Sequence, residues 1–191
     1  MNTTPPNGSK ISTQFTDGYQ TIIVPHKKVG AFRYFIGAFL IFWLGGWALA
    51  LVTTVTQLLR SPEPFLLIWL GGWTLGGAFA FYMVYRLFRK PIPEALHLNL
   101  PNLTFDTGVP PLDLKFGTRY SMEYWKSMFH RRKKIEFMPI ELKSLRLRET
   151  DSGNRLTIDR GADRIDIATR ATEVEREWLY STLKDVSKGR K

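Results

Sequence analysis

The spacing of apolar positions changes character twice along this chain. No charged residue falls between Tyr34 and Leu59, and none falls between Phe65 and Tyr85. Each run reaches the roughly 20 apolar residues that cross a hydrocarbon core about 30 Å thick. Beyond Pro91 the period shortens to two. Leu96, Leu98 and Leu100 alternate with His97 and Asn99, and Leu103 and Phe105 follow Pro101-Asn102. Leu112, Leu114 and Phe116 alternate with Asp113 and Lys115, then Ile135 and Phe137 resume the pattern, and Leu142 leads into Leu145 and Leu147. Asp151-Ser-Gly-Asn154 and Gly161-Ala-Asp163 are turns, before Leu156/Ile158 and Ile165/Ile167 respectively. The chain closes in a helical period. Thr172 and Glu175 have capping-box spacing, and Val174, Trp178, Leu179, Leu183 and Val186 form one apolar stripe. Seven short strands and a terminal helix predict a small antiparallel barrel closed by that helix, with Trp178 as its plug.

The two apolar runs are joined only by Arg60-Ser-Pro-Glu-Pro64, which predicts a helical hairpin. The first run ends in Thr56-Gln-Leu-Leu-Arg60 rather than in a small-residue cleavage site, which favours a retained span. Lys27, Lys28 and Arg33 precede the pair, Arg86, Arg89 and Lys90 follow it, and the connecting turn has Arg60 alone. The positive-inside rule therefore places both termini in the cytoplasm. The spans echo each other, in Trp43-Leu-Gly-Gly-Trp47-Ala-Leu49 and Trp69-Leu-Gly-Gly-Trp73-Thr-Leu75. Small residues let membrane helices approach closely, so Gly72, Gly76 and Ala80 on one helix and Gly46 and Ala50 on the other are the expected packing face. With the turn centred near Pro62, Gly46 is expected opposite Ala78 and Ala48 opposite Gly76. Trp43, Trp47, Trp69 and Trp73 suit interfacial anchors, packing ridges or contacts to a partner's helix.

Composition changes this picture only where it is uneven. The mean hydropathy of -0.16 resembles that of a soluble protein because the apolar residues are concentrated in the spans. The net charge of +10 is compatible with nucleic acid, but its location argues against that partner. Residues 115–134 hold seven Lys or Arg against Glu123, most of the other excess flanks the spans, and the remaining C-terminal sequence is slightly acidic. The absence of cysteine excludes thiol catalysis, disulfides and cysteine metal sites. His26, His97 and His130 stand at no metal-ligand spacing, and neither Ser121 nor Ser127 has the setting of a nucleophile elbow. Asp159, Asp163 and Asp166 are close in sequence, but Asp159 and Asp166 fall on the outward positions of a hairpin beside Arg160 and Arg164. Solvated surface charge explains them best. Neither span carries an ionisable residue that would mark an ion or proton path. No cofactor or metal is called for, and the reading is of a non-enzymatic chain.

One segment combines aromatic and basic residues. Read as a helix, Met122, Trp125 and Phe129 share a face, followed by Arg131, Arg132, Lys133 and Lys134. An interfacial helix on anionic lipid head groups, a docking segment for another protein and a solvated loop all fit.

The Phe42-Trp-Leu-Gly-Gly-Trp47 and Ile68-Trp-Leu-Gly-Gly-Trp-Thr-Leu-Gly-Gly77 hairpin resembles a set of uncharacterised bacterial two-span proteins with a pleckstrin-homology-like cytoplasmic domain. The closing stretch Ile165-Asp-Ile-Ala and Val174-Glu-Arg-Glu-Trp178-Leu179 is similar to the end of that domain. The order of elements is also similar to that of the photosystem I assembly protein family, and Ile140-Glu-Leu-Lys-Ser-Leu-Arg-Leu147 is similar to a strand there. The segment from Phe116 to Lys134 departs from both patterns.

Together these readings predict an α+β membrane protein. Residues 1–18 are a disordered tail, and 19–30 a short strand and juxtamembrane segment. Residues 31–90 are the transmembrane hairpin, with spans 34–59 and 65–85. Residues 91–187 are a β-rich, pleckstrin-homology-like domain with an insert at 117–134. The expected role is an accessory, assembly or scaffolding component of a complex in the bacterial inner membrane, bound to other integral membrane proteins. The alternative is a sensor of anionic lipid on the cytoplasmic leaflet. Because the chain has no cysteine, one introduced thiol reports its side of the membrane without background. Ser61→Cys is expected to react with an impermeant maleimide in intact cells, and Ser152→Cys only after lysis; outside labelling of Ser152→Cys would reverse the orientation.

Overall fold

The computed structural model describes residues 4–16, 18–26, 30–112, 125, 128–151 and 153–187. The chain forms two compact units, each discontinuous in sequence. One comprises Met1–Lys27, Pro91–Pro110 and His130–Lys191, and the other Lys28–Lys90 and Pro111–Phe129.

The second unit is built on α1 (Phe32–Arg60) and α2 (Pro64–Phe88), both long and apolar enough to cross a membrane. Ser61 leaves α1 in an extended conformation, and Pro64 opens α2, where its fixed φ suits the first helical turn and its missing N–H is no loss. The seam between the helices follows a heptad-like period. Leu66, Leu70, Trp73, Gly77, Ala80, Val84 and Leu87 are among the covered positions along α2, and Ile36, Gly37, Leu40, Leu44, Trp47, Leu51, Thr54 and Leu58 among those of α1. At its centre the indole of Trp47 lies against Gly77, where a Cβ would overlap the ring, and its Nε1–H donates to the Trp73 carbonyl at 3.0 Å. Gly37 similarly makes room for the rings and methyls of Phe88 and Leu87.

The expected packing face is therefore corrected. Among the described residues a Cβ at Gly46, Gly72 or Gly76 would meet nothing within 4 Å, so these glycines point away from the seam. Ala80 is buried and Ala50 partly covered, as expected. The antiparallel offset is close to the expected one, since Trp47 and Gly77 are the residues next to the predicted Gly46/Ala78 and Ala48/Gly76 pairs. What differs is the rotation of the helices about their axes, because an indole filling a glycine notch covers more area than two glycines meeting.

The first unit is an α+β domain of two antiparallel sheets. Five strands, β1 (Ser12–Thr16), β2 (Tyr19–Val24), β3 (Glu94–Leu98), β4 (Leu103–Asp106) and β5 (Lys134–Phe137), pair in sequence order. Three more, β6 (Arg146–Thr150), β7 (Gly153–Arg160) and β8 (Asp163–Ile167), make the second sheet. The sheets do not join into a closed barrel among the described residues. The short helix α3 (Pro139–Leu142) stands where alternation had predicted the approach to a strand, and α4 (Glu173–Ser187) closes the chain. Leu114, Phe116 and Met122 lie outside the described residues.

The tail reading of residues 1–18 is also corrected, because β1 pairs along its length with β2, from Ser12↔Ile23 to Thr16↔Tyr19. A two-residue link containing Gly18 at φ 80° allows this tight hairpin. Upstream, Ile11 enters the core, and Ser9 Oγ and the Lys10 N–H donate to Glu175 Oε1 at 2.7 and 3.1 Å. Glu175 also completes the capping box, accepting from the Thr172 N–H at 2.7 Å while its own N–H donates to Thr172 Oγ1. One carboxylate thus ties the N-terminal segment to the start of α4. Ile22, Leu96, Leu103, Phe105 and Phe137 from the larger sheet and Leu156, Ile158 and Ile167 from the smaller one form a single core with Trp178, Leu179 and Leu183 of α4. Each such fully buried aliphatic side chain contributes about 1.5–3 kcal/mol.

Gly77→Leu is expected to separate the helices and lower the melting temperature of the purified chain in detergent, whereas Gly76→Leu should leave it within a few degrees of wild type. Equal loss in both variants would place Gly76 in the seam and contradict the Trp47–Gly77 packing.

Candidate membrane-interface site

The register of the larger sheet brings four chain crossings to one end. Val24 pairs with Glu94, Ala95 with Asp106, and Asp106 with Lys134. The chain leaves for the helices after Val24 and returns at Glu94. It leaves again after Asp106 and returns at Lys134. A bridge between Ile92 and Val109 extends this end, with Ile92 N–H donating to Val109 O at 3.0 Å and the reverse bond at 2.8 Å. Gly108, at φ 60°, permits it, since a Cβ there would overlap the Ile92 and Pro93 carbonyls.

Two buried carboxyl groups and a half-buried histidine occupy this end. Asp106 is 2% exposed and receives a bidentate grip from Arg132, with Nε at 2.9 and 3.0 Å and Nη2 at 2.6 Å, plus the Gly108 N–H at 3.0 Å. Burial alone would raise its pKa, but the Arg132 and Gly108 hydrogen bonds and the charges of Arg132 and Lys134 outweigh that and hold it below the usual aspartate value. Glu94, on the core face of β3, behaves oppositely. Burial pushes its carboxyl above the usual value despite hydrogen bonds from Thr169, whose Oγ1 donates at 2.9 Å. His26 donates from Nε2 to the Ile92 carbonyl at 2.7 Å, which fixes the proton on that nitrogen, and burial lowers its pKa. The linkage signs differ accordingly. Asp106 contributes stability above its ordinary pKa of 3.8 that is lost as pH falls through its lower folded value. The Glu94 contribution is present below 4.5 and is lost as pH rises through its raised folded value.

In the helical unit the described residues of 111–129 pack on the last turns of α2. Leu112 and Met128 are buried with Leu87, against Ile36, Tyr82 and Met83. The Met128 carbonyl accepts from Tyr82 Oη at 2.9 Å and from Arg86 Nε at 3.0 Å. Trp125 and Met128 are helical, and the Phe129 N–H donates to Trp125 O at 3.1 Å. A cation on such a terminal carbonyl satisfies an acceptor that the turn leaves open. Rings extend the contact: Trp125 lies 6.2 Å from Phe79 and 6.0 Å from Phe129, and Phe129 stacks on Tyr82 at 5.8 Å. Trp125 and Phe129 nevertheless remain 47% and 57% exposed.

The predicted aromatic-basic segment is thus divided. Its aromatic half belongs to the helical unit and its basic half to the sheet unit, where 131–133 lead into β5 without helical structure. Arg132 is a structural partner of Asp106, while Arg131, Lys133 and Lys134 are exposed. Of the four tryptophans in the spans, Trp47 is the knob of the seam. Trp73 bridges Trp43 at 6.3 Å and Trp69 at 4.8 Å, leaving those two 39% and 37% exposed. Asp159 pairs with Arg148 and Arg164, and Asp166 with Arg155, as cross-strand surface pairs. Sequence reading missed Tyr82, Arg86, Glu94 and Asp106, of which only Arg86, a cation inside the helical pattern, gave a local signal. Compared with known protein families, curated proteins and solved structures, the chain matches none.

Arg132→Gln leaves the Asp106 carboxylate buried without its cation and is expected to cost on the order of 1–3 kcal/mol at neutral pH. The gap from wild type should close as acid protonates Asp106 in both proteins. Thermal melts between pH 3 and pH 7 test this; a gap independent of pH would assign Arg132 to packing alone.

Proposed function

We propose that this chain is a two-span protein of the bacterial inner membrane, with both termini in the cytoplasm, that acts as a non-enzymatic accessory, assembly or scaffolding component of a membrane complex. Helices of 29 and 25 residues are about 44 and 38 Å long, enough to pass a ~30 Å core with roughly 4–7 Å to spare at each end. The helix ends and caps carry Arg33, Tyr34, Tyr85 and Arg89, which suit the head-group layer. The observation that carries the functional reading is the outward face of α2. Trp69, Gly72, Gly76 and Phe79 follow at helical spacing, and the two glycines are open among the described residues. Gly46 is likewise open on α1, one turn from Trp43. An interior glycine costs a helix about 1 kcal/mol relative to alanine and gains nothing from lipid. Against a second helix the same glycines allow close backbone approach. We read the α+β domain, with its five-stranded sheet, three-stranded sheet and closing helix, as the docking module.

Combining Trp43→Leu and Trp69→Leu with Gly72→Leu and Gly76→Leu should preserve insertion and the hairpin melt while reducing co-purification of the partner in mild detergent roughly tenfold, equivalent to about 1.4 kcal/mol. A partner-free monomer in native-membrane nanodiscs would defeat the reading.

A further inference from the structure

Backbone alternation leaves one edge of the larger sheet open to a further strand. Thr16 and Tyr19 close the two-residue link between β1 and β2, the position at which such a hairpin is hydrogen-bonded. Bonding then alternates along β1. Ser12, Gln14 and Thr16 direct their N–H and C=O groups to β2, and Thr13 and Phe15 turn theirs outward. Among the described residues β1 is an end strand, and no backbone hydrogen bond reaches it from any element but β2. The strand is also preformed. β2 holds it along its length, and Glu175 clamps Ser9 and Lys10 just before it. A pairing strand would meet an ordered template and bear little of the entropy cost of ordering it.

Side chains and charge say what fits this edge. Thr13 lies beside Ile22 and Phe15 beside Gln20, on the sheet face that carries the buried Ile22, Leu96 and Phe105. Phe15 is nevertheless 81% exposed, so the core face runs on to the edge and stops there uncovered. The other end strands, β5, β6 and β8, each carry two or three charged residues, which guard an edge against pairing. Ser12-Thr-Gln-Phe-Thr16 carries none. An uncharged edge does not repel a copy of itself, and antiparallel pairing about a two-fold axis is the arrangement in which one strand complements itself.

We propose that two copies of this chain pair through β1, antiparallel across a two-fold axis, and so join their five-stranded sheets into one continuous sheet. With Thr13 opposite the second copy's Phe15, and Phe15 opposite its Thr13, every outward N–H and C=O of these residues is used. This register sets Gln14 against the second copy's Gln14 on the axis, a pair without mutual hydrogen bonds whose Cα atoms stand about 4.5 Å apart. The two Phe15 rings become diagonal neighbours on the core face and cover each other. The pairing is independent of lateral assembly through the helices.

Gln14→Cys tests it in a chain that has no other cysteine. The two thiols would fall within the usual disulfide range of about 4.4–6.8 Å between Cα atoms. The purified full-length variant, oxidised with copper phenanthroline in mild detergent, is expected to run mainly as a covalent dimer on a non-reducing gel. Lys143→Cys, also exposed but outside β1, should run mainly as monomer. Native mass spectrometry of the wild type should show the dimer without a crosslink. Thr13→Pro removes an outward N–H that the β1–β2 ladder does not use, and should lower both dimer signals roughly tenfold while the melting temperature stays within a few degrees. Phe15→Lys, which sets like charges beside the axis, should do the same with the backbone intact. A Gln14→Cys chain no more dimeric than Lys143→Cys, or a dimer that survives both substitutions at full yield, overturns the pairing. If oxidation in isolated membranes instead joins Gln14→Cys to a different protein, the edge belongs to that partner and the second copy is ruled out.

Discussion

The pairing of β2 with β3 sets the layout of the molecule. Val24 and Glu94 are neighbours in one ladder although the helical hairpin lies between them in sequence. Loop-closure entropy grows only with the logarithm of loop length, so a long excursion can be inserted at this point at modest cost. Antiparallel pairing puts the exit and the return at the same end of the sheet. Two helices satisfy that geometry, since the second brings the chain back to the level where the first began. One long helix would not.

The second excursion obeys the same constraint, leaving after Asp106 and returning at Lys134 at that end. Concentrating four crossings there forces irregular backbone and buried polar groups together. Gly108 relieves the crowding at the Ile92 and Pro93 carbonyls, and Arg132 neutralises Asp106. Glu94 takes its hydrogen bond from Thr169, next to Ala168 at φ 52°. The two carboxyls thus respond to pH with opposite sign, because one gains a cation on folding and the other mainly loses water.

The helical unit separates two uses of small residues. Gly77 and Gly37 are notches filled by Trp47 and Phe88 within the pair. Gly46, Gly72 and Gly76 are spared from that task and remain open. A large side chain seated on a glycine holds a hairpin by dispersion contacts and, for Trp47, by one hydrogen bond to a carbonyl. The Met128 carbonyl anchors its own turn in a similar way, receiving Tyr82 and Arg86 at once.

The sequence by itself determined the features that depend on local period. Two charge-free runs, the alternating Leu96/Leu98 and Leu156/Ile158 positions and the Thr172–Glu175 box were legible because each is written in residues a few positions apart. The offset of the hairpin was nearly legible too, from the short turn around Pro62. The rotation of its helices was not, since Gly72/Gly76 and Trp73/Gly77 are equally regular and only the fit of Trp47 chooses between them. The strand character of Ser12–Thr16 was likewise hidden, because its polar composition reads as unstructured until β2 supplies a partner. Arg131 to Lys134 read as one basic run. Only the tertiary structure divided it, because the buried Asp106 that claims Arg132 comes from a strand distant in sequence.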